Sequence, residues 1–199
     1  MASAQDVPKE QPLVQFAEAR LWAAWLEEHH ATSSGVWLRI AKKASGTASV
    51  TYDEALEVAL CYGWIDGQKK SYDDASWLQK FTPCGLKSIW SKVNRVKAEK
   101  LIARGEMKPA GLAAVDQAKQ DGRWDAAYDS QSSASVPDDF QAALDRHEEA
   151  RVFFATLNSR NRYAILFRIQ TAKKAETRAK RIEQFIQMLA NHETLYPEL

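Results

Sequence analysis

The chain of 199 residues has few of the side chains that metal and redox chemistry require. Its two cysteines and four histidines show no Cys-x2-Cys, His-x3-His or His-Glu-x-x-His spacing, so no metal site and no cofactor are predicted. Cys61 lies in an apolar stretch and Cys84 in a Pro/Gly loop, which argues against a disulfide between them. Free thiols of this kind favour a reducing, cytoplasmic location.

Long apolar runs and nucleotide-binding motifs are also missing. No run approaches the ~18 residues that a membrane span needs, so membrane insertion is not expected. Gly63 and Gly67 lack the following Lys-Ser/Thr of a phosphate-binding loop. The acidic pairs at 53–54 and 73–74 fit a helix start and a turn, so no catalytic residue is nominated.

Tryptophan and charge are both unevenly distributed. All seven tryptophans fall in the first two thirds of the chain, which indicates an aromatic core there. Residues 129–150 carry one arginine and six acids, a net charge of −5. Residues 151–185 carry nine basic residues and two glutamates, a net charge of +7. The segment 151–185 is therefore basic, although the net charge of the whole chain is only +1.

Hydrophobic periodicity predicts an α+β fold. A helical pattern from Phe16 to Leu26 precedes an alternating strand at 36–41, and Thr51-x-x-Glu54 has the form of a helix capping box. A hairpin over 68–81 completes a small antiparallel sheet packed with helices, and an all-helical module follows. The expected division is a disordered tail at 1–12, an α+β domain at 13–128, a linker at 129–136, a helical module at 137–192 and a tail at 193–199.

One stretch combines hydroxyl, amide, cationic and indole groups at a helix start. Amides at a helix N-terminus and nearby cations can converge on an anion, although a plain cap with a solvated basic face fits the same residues. Asp66, between large apolar residues and a glycine, must find a hydrogen-bond partner and is expected to orient other groups. The predicted ligand-binding residues are Trp64, Asp66, Ser88, Trp90, Ser91, Lys92, Asn94 and Arg95.

The basic C-terminal segment is the candidate for binding a macromolecule. Its cations could bind phosphates, or they could form a solvated helix face neutralised by the acids of 129–150, which is the preferred interpretation. Ser159 is the expected cap of the helix that follows it. The predicted macromolecule-binding residues are Arg160, Arg162, Arg168, Lys173, Lys174, Arg178 and Arg181.

Several long strings, most of them containing tryptophan, carry a resemblance to a known family. They are 35–38, 49–56, 61–68, 88–94, 107–112, 121–124 and 172–182. Together they make residues 14–190 resemble the YdeI/OmpD-associated (OmdA, bacteriocin-protection) family. The chain departs from that family at 84–86, where Cys-Gly-Leu replaces a basic run, which weakens an anion site in this loop.

The resemblance implies a non-enzymatic stress-response protein linked to resistance against cationic antimicrobial peptides. It also implies a protein partner, because the family is associated with a porin. The leading hypothesis is a binding protein that presents a groove with Trp64, Asp66 and Trp90 to a small anionic or polar ligand. The alternatives are a nucleic-acid-binding protein that uses the basic helices, and an enzyme that depends on Cys61 or Cys84.

Overall fold

The computed structural model describes residues 11–197 and divides the chain into two compact units. The first comprises the residues up to Ser88 together with Asn94–Trp124, and the second comprises Ile89–Val93 with the residues from Asp125 onwards. Most of the predicted tail at 1–12 and the end of the tail at 193–199 lie outside the described residues. The linker at 129–136 stays a prediction.

The first unit contains a four-stranded sheet. Its strands are β1 (Leu13–Val14), β2 (Val36–Ala41), β3 (Trp64–Ser71) and β4 (Ser76–Pro83), in the order β1-β2-β4-β3. The pairs β2–β4 and β3–β4 are antiparallel, as predicted, whereas β1 is parallel to β2. The parallel edge strand β1 was not predicted, because its two residues are too few to show an alternating pattern.

Side chains along β2 alternate between buried and partly exposed, as the alternating sequence predicts. Val36, Leu38 and Ile40 are buried on one face of β2, while the residues between them are partly exposed. The β3–β4 hairpin is longer than expected and shifts its register between Asp66 and Lys69, which marks a bulge in β3.

The helices of the first unit are α1 (Ala19–His29), α2 (Tyr52–Cys61), α3 (Lys92–Ala103) from Asn94 onwards, and α4 (Pro109–Gln120). Aromatic rings join the first of them to the sheet: Trp22 lies 5.6 Å from Phe81, and Trp25 lies 6.0 Å from Trp64, between ring centroids. The capping box at the start of α2 is confirmed, and Pro109 opens α4.

The second unit contains α5 (Asp138–Asp145), α6 (Glu148–Thr156), α7 (Ser159–Gln170) and α8 (Ala175–Ala190). Its core combines Phe140, Phe154, Ile165, Ile169 and Leu189. The cap of α7 is Asn158, whose side chain accepts the N–H of Asn161, and not Ser159 as predicted, since that residue is already helical. Among residues 11–197, no helix is long and apolar enough to cross a membrane.

Candidate functional site

Asp66 forms a polar cluster in the first unit. Its Oδ2 accepts the hydroxyl of Tyr52 at 2.8 Å, and its Oδ1 accepts the amide of Asn94 at 3.1 Å. Asn94 is 6% exposed, so this amide is fixed inside the unit. The hydrogen-bond partners that the sequence required for Asp66 are therefore the downstream amide of Asn94 and the upstream hydroxyl of Tyr52. The carboxylate is held in one orientation, as an orienting residue must be.

The other predicted ligand residues of the first unit have structural contacts. Trp64 is 1% exposed and donates its indole N–H to the carbonyl of His30, so it packs in the core. The hydroxyl of Ser88 accepts the N–H of Gly85. Arg95 donates to the carbonyl of Trp124. A groove wall formed by the indole of Trp64 therefore has no support in this structure.

The remaining predicted ligand residues, Trp90, Ser91 and Lys92, belong to the second unit. There, the backbone N–H of Tyr128 donates to the carbonyl of Trp90, and the carbonyl of Tyr128 accepts the N–H of Lys92. These two bonds form an isolated β-bridge between Ser91 and Tyr128. The Lys92 ammonium lies 2.7 Å from Asp129. The eight residues are thus divided between two units, and a single groove that joins them stays a prediction.

The seven predicted macromolecule-binding residues all lie in the second unit, but they differ in their partners. Within residues 11–197, Arg178 alone of the seven pairs with a carboxylate, and it does so through two bonds to Asp139 at 2.6 and 2.8 Å. Arg178 also donates to the carbonyl of Ile169, and Arg181 donates to that of Arg168, so both connect α8 to α7. Of the seven, only Arg178 is therefore neutralised by an acid of 129–150 among the described residues.

Two of the seven arginines meet at a pocket of about 380 Å³ beside α7. Arg160 lies 4.3 Å and Arg168 lies 5.9 Å from the ring centroid of Tyr196, and Arg168 also reaches the tyrosine hydroxyl at 3.5 Å. We call this site the arginine–tyrosine pocket. It is lined by Gln131, Arg160, Tyr163, Ala164, Phe167, Arg168 and Tyr196. None of these lining residues is acidic.

The helix and a buried amide position the pocket. Arg160, Tyr163 and Phe167 recur at spacings of three and four, which place them on one face of α7. Asn161 is fully buried; its amide donates to the carbonyl of Tyr196 at 3.0 Å and its oxygen accepts the N–H of Tyr196 at 2.9 Å. These two bonds fix the chain after α8 and thereby hold the Tyr196 ring beside Arg160 and Arg168.

The electrostatics of the pocket favour a negative group. The hydrogen bond from Arg168 lowers the pKa of the Tyr196 hydroxyl, and the charges of Arg168 and Arg160 act in the same direction. Guanidinium groups offer planar, paired donors that match phosphate and carboxylate oxygens. The aromatic walls provide flat surface for the body of a ligand.

Sequence reasoning selected both arginines but missed Tyr196, because it assigned residues 193–199 to a tail. The signal that could have found the pocket is the recurrence of basic and aromatic residues along 160–168 on one helix face. No periodic pattern in the sequence around Tyr196 marks it as part of a site. Only the long-range pair between Asn161 and Tyr196 brings it to the site.

The two cysteines are not activated. Burial raises the pKa of the Cys61 thiol to about 11, and nearby glutamates act in the same direction. Burial also raises the pKa of the Cys84 thiol, against the opposing charge of Arg123. At neutral pH both remain protonated, and a protonated thiol is a poor nucleophile. Among the described residues, no group of acidic, histidine or cysteine side chains is placed to bind a metal.

A mixed sheet with helices, followed by a helical unit, makes this an α+β protein. The chain belongs to the family described as Domain of unknown function (DUF8412), whose model matches residues 14–114, just over half of its length. Residues 133–192 match the model described as Bacteriocin-protection, YdeI or OmpD-Associated (OmdA), which confirms the resemblance over that segment. Searches of curated proteins and of solved structures found no match.

Proposed function

We propose that the chain is a non-enzymatic binding protein whose C-terminal unit recognises an anionic group, such as a phosphate, in the arginine–tyrosine pocket. The observation that carries this proposal is the approach of Arg160 and Arg168 to one tyrosine ring, in a pocket that no acidic residue lines among residues 11–197. Both guanidinium groups lie within 6 Å of the same ring centroid, and a bound anion would offset the repulsion between these like charges.

The size and walls of the pocket favour a small ligand with a flat part. Its volume of about 380 Å³ falls in the range of small-molecule sites. Tyr163 and Phe167 supply aromatic surface, and Gln131 adds a neutral hydrogen-bonding group. An aromatic molecule that carries a phosphate or carboxylate satisfies both features.

The OmdA description names bacteriocin protection, and this supports a protective role as part of the proposal. With a net charge of +1, the chain does not attract cationic peptides by overall charge. Its pocket also carries the same sign as those peptides. Protection would therefore be indirect, through the anionic ligand or a macromolecular partner that this ligand regulates.

The test is a thermal-shift series with inorganic phosphate, AMP and citrate on the whole chain and on the variant Arg160→Gln. Arg160 is exposed, so its loss leaves the core intact. Arg151→Gln is the matched control, because it removes the same charge from an exposed site on α6 that faces Glu148. We expect stabilisation of the wild type and the control, and a shift at least halved in Arg160→Gln. Equal shifts in all three proteins would contradict the proposal.

Nucleic-acid binding through the basic helices is a second candidate. It is favoured by the absence of a paired carboxylate, within residues 11–197, at six of the seven predicted cations. Lys173 and Lys174 are exposed between α7 and α8. We expect Lys173→Gln with Lys174→Gln to reduce retention on duplex DNA at ~50 mM salt, where phosphate contacts are strong. No retention of the wild-type chain at this salt concentration would remove the candidate.

A further inference from the structure

We infer that the face of the sheet turned away from α1 and α2 is a binding surface for single-stranded nucleic acid. The surface consists of Trp37 and Arg39 on β2, Lys80 on β4, Lys70 on β3 and Tyr72 in the hairpin turn. We call it the outer sheet face. All of its residues belong to the first unit, whereas those of the arginine–tyrosine pocket belong to the second. The inference does not depend on the function proposed for that pocket.

Strand register places these residues together. Trp37 is directly opposite Lys80, and both Arg39 and Lys70 are opposite Leu78, so all share one side of the sheet. The aromatic contacts from α1 and α2 reach the other side, at Phe81, Trp64 and Trp77.

Cation–π contacts cover the aromatic rings of the outer sheet face. The ammonium of Lys70 lies 4.5 Å and that of Lys80 lies 5.7 Å from the Trp37 ring centroid. Arg39 lies 5.0 Å from the ring of Tyr72, which is 50% exposed. Arg39 is neutralised by Asp73 at 2.7 Å. In the part of the chain that the structure describes, neither lysine has a carboxylate within ion-pair distance.

Two lysines without acidic partners around an indole form a complementary site for a phosphate backbone with unstacked bases. Phosphates can replace the ring as partner of each ammonium, and the freed indole can then stack a base. Adjacent strands lie about 4.8 Å apart, so the two lysines approach one short stretch of backbone. The charge complementarity is local, since the first unit as a whole is close to neutral.

The geometry favours a single strand over a duplex or a membrane. A duplex hides the faces of its bases, so the indole would have nothing to stack on. A membrane surface requires several protruding apolar side chains, but Leu78 and Ile65 on this side of the sheet are each 9% exposed. Among the strand residues that the structure describes, Leu13, opposite Trp37 and 48% exposed, is the one large aliphatic side chain that protrudes here. The rings of Trp37 and Tyr72 are instead each covered by at least one cation.

The experiment is fluorescence anisotropy of a labelled oligothymidylate 12-mer with the full chain over a series of salt concentrations. The test variant is Lys70→Gln with Lys80→Gln, and a second variant is Trp37→Leu. Lys100→Gln with Lys108→Gln is the charge-matched control, because both lysines are exposed on or beside helices of the same unit. A duplex of the same length and anionic phosphatidylserine vesicles serve as competitors.

We expect the Lys70/Lys80 variant to bind roughly tenfold more weakly and to lose about 1.4 from the slope of log affinity against log salt, because each lost phosphate contact removes about 0.7. Trp37→Leu should weaken binding with an unchanged slope, since stacking releases no ions. The control should match the wild type.

Four results would overturn the inference. They are no binding by the wild type at ~50 mM salt, an unchanged affinity in the Lys70/Lys80 variant, equal competition by the duplex, or displacement by vesicles at lower concentration than by unlabelled oligonucleotide. Lys70 is exposed and Lys80 is partly buried, so glutamine at these positions should preserve the strands, and a melting temperature within the error of the wild type will verify that the variants are folded.

Discussion

Replacing Gly111 with alanine should destabilise the chain, although alanine is the better helix former. Gly111 lies in the first turn of α4, against the end of α2. An added Cβ would lie 2.8 Å from the carbonyl oxygen of Leu60 and 2.9 Å from the carbonyl carbon of Cys61, and closer still to the Cys61 oxygen. All three are backbone atoms, so no side-chain rotation can relieve the contact.

The two effects have opposite signs. Helix propensity alone would favour alanine by about 1 kcal/mol. Overpacking costs about 1–3 kcal/mol or more, and relief of the clash would also stretch the 3.1 Å hydrogen bond from the Lys108 N–H to the Cys61 carbonyl. We expect a net loss of about 2 kcal/mol, which lowers the melting temperature by roughly 4–8 °C for a chain of this size.

The assay is urea and thermal unfolding of Gly111→Ala beside Gly85→Ala. A Cβ at Gly85 meets nothing within 4 Å, so this control should be neutral or gain about 0.4–1 kcal/mol. The packing explanation is refuted if Gly111→Ala is as stable as the wild type. It is also refuted if both variants lose stability equally, since that would be a general effect of losing glycine.

Three further results are expected. The hydrogen bonds from Arg178 lower the pKa of the Asp139 carboxyl, so the ion pair stabilises the fold above the unfolded pKa of about 4, and this stability is lost as pH falls through the lower folded pKa. The difference in urea midpoint between wild type and Asp139→Asn should be present at neutral pH and shrink as pH falls below about 4. Iodoacetamide should alkylate Cys61 and Cys84 more slowly than free cysteine, and faster reaction at either would contradict the raised pKa values. Asn161→Ala should cost about 1–3 kcal/mol in urea unfolding through two lost hydrogen bonds, and an unchanged midpoint would show that they do not hold the C-terminal segment.

Elements with strong local signals could be predicted from the sequence. The strand at 36–41 matches β2 residue for residue, and the Thr51–Glu54 capping box is present because both bonds form within one turn. The helical character of the C-terminal part followed from periodicity in the same way. The two-residue strand β1 could not be found, since its pairing with β2 depends on a distant partner.

The candidate sites show the same limit. The sequence selected Asp66 as a residue that needs partners, and it placed Arg160 and Arg168 among the candidate macromolecule-binding residues. It could not show that Trp64 is enclosed in the core, because an indole between apolar residues suits a core and a groove equally. Nor could it bring Tyr196 to α7, since that contact spans 35 residues.

The most direct test of the anion-binding proposal is calorimetric titration of AMP into the wild-type chain, Arg160→Gln and the Arg151→Gln control. We expect saturable binding to the wild type and the control, and affinity at least tenfold weaker in Arg160→Gln, since a charged hydrogen-bonding partner typically contributes about 1.5–3 kcal/mol. Binding that is equally strong in Arg160→Gln, or absent from the wild type for AMP and inorganic phosphate alike, would contradict the assignment of the arginine–tyrosine pocket.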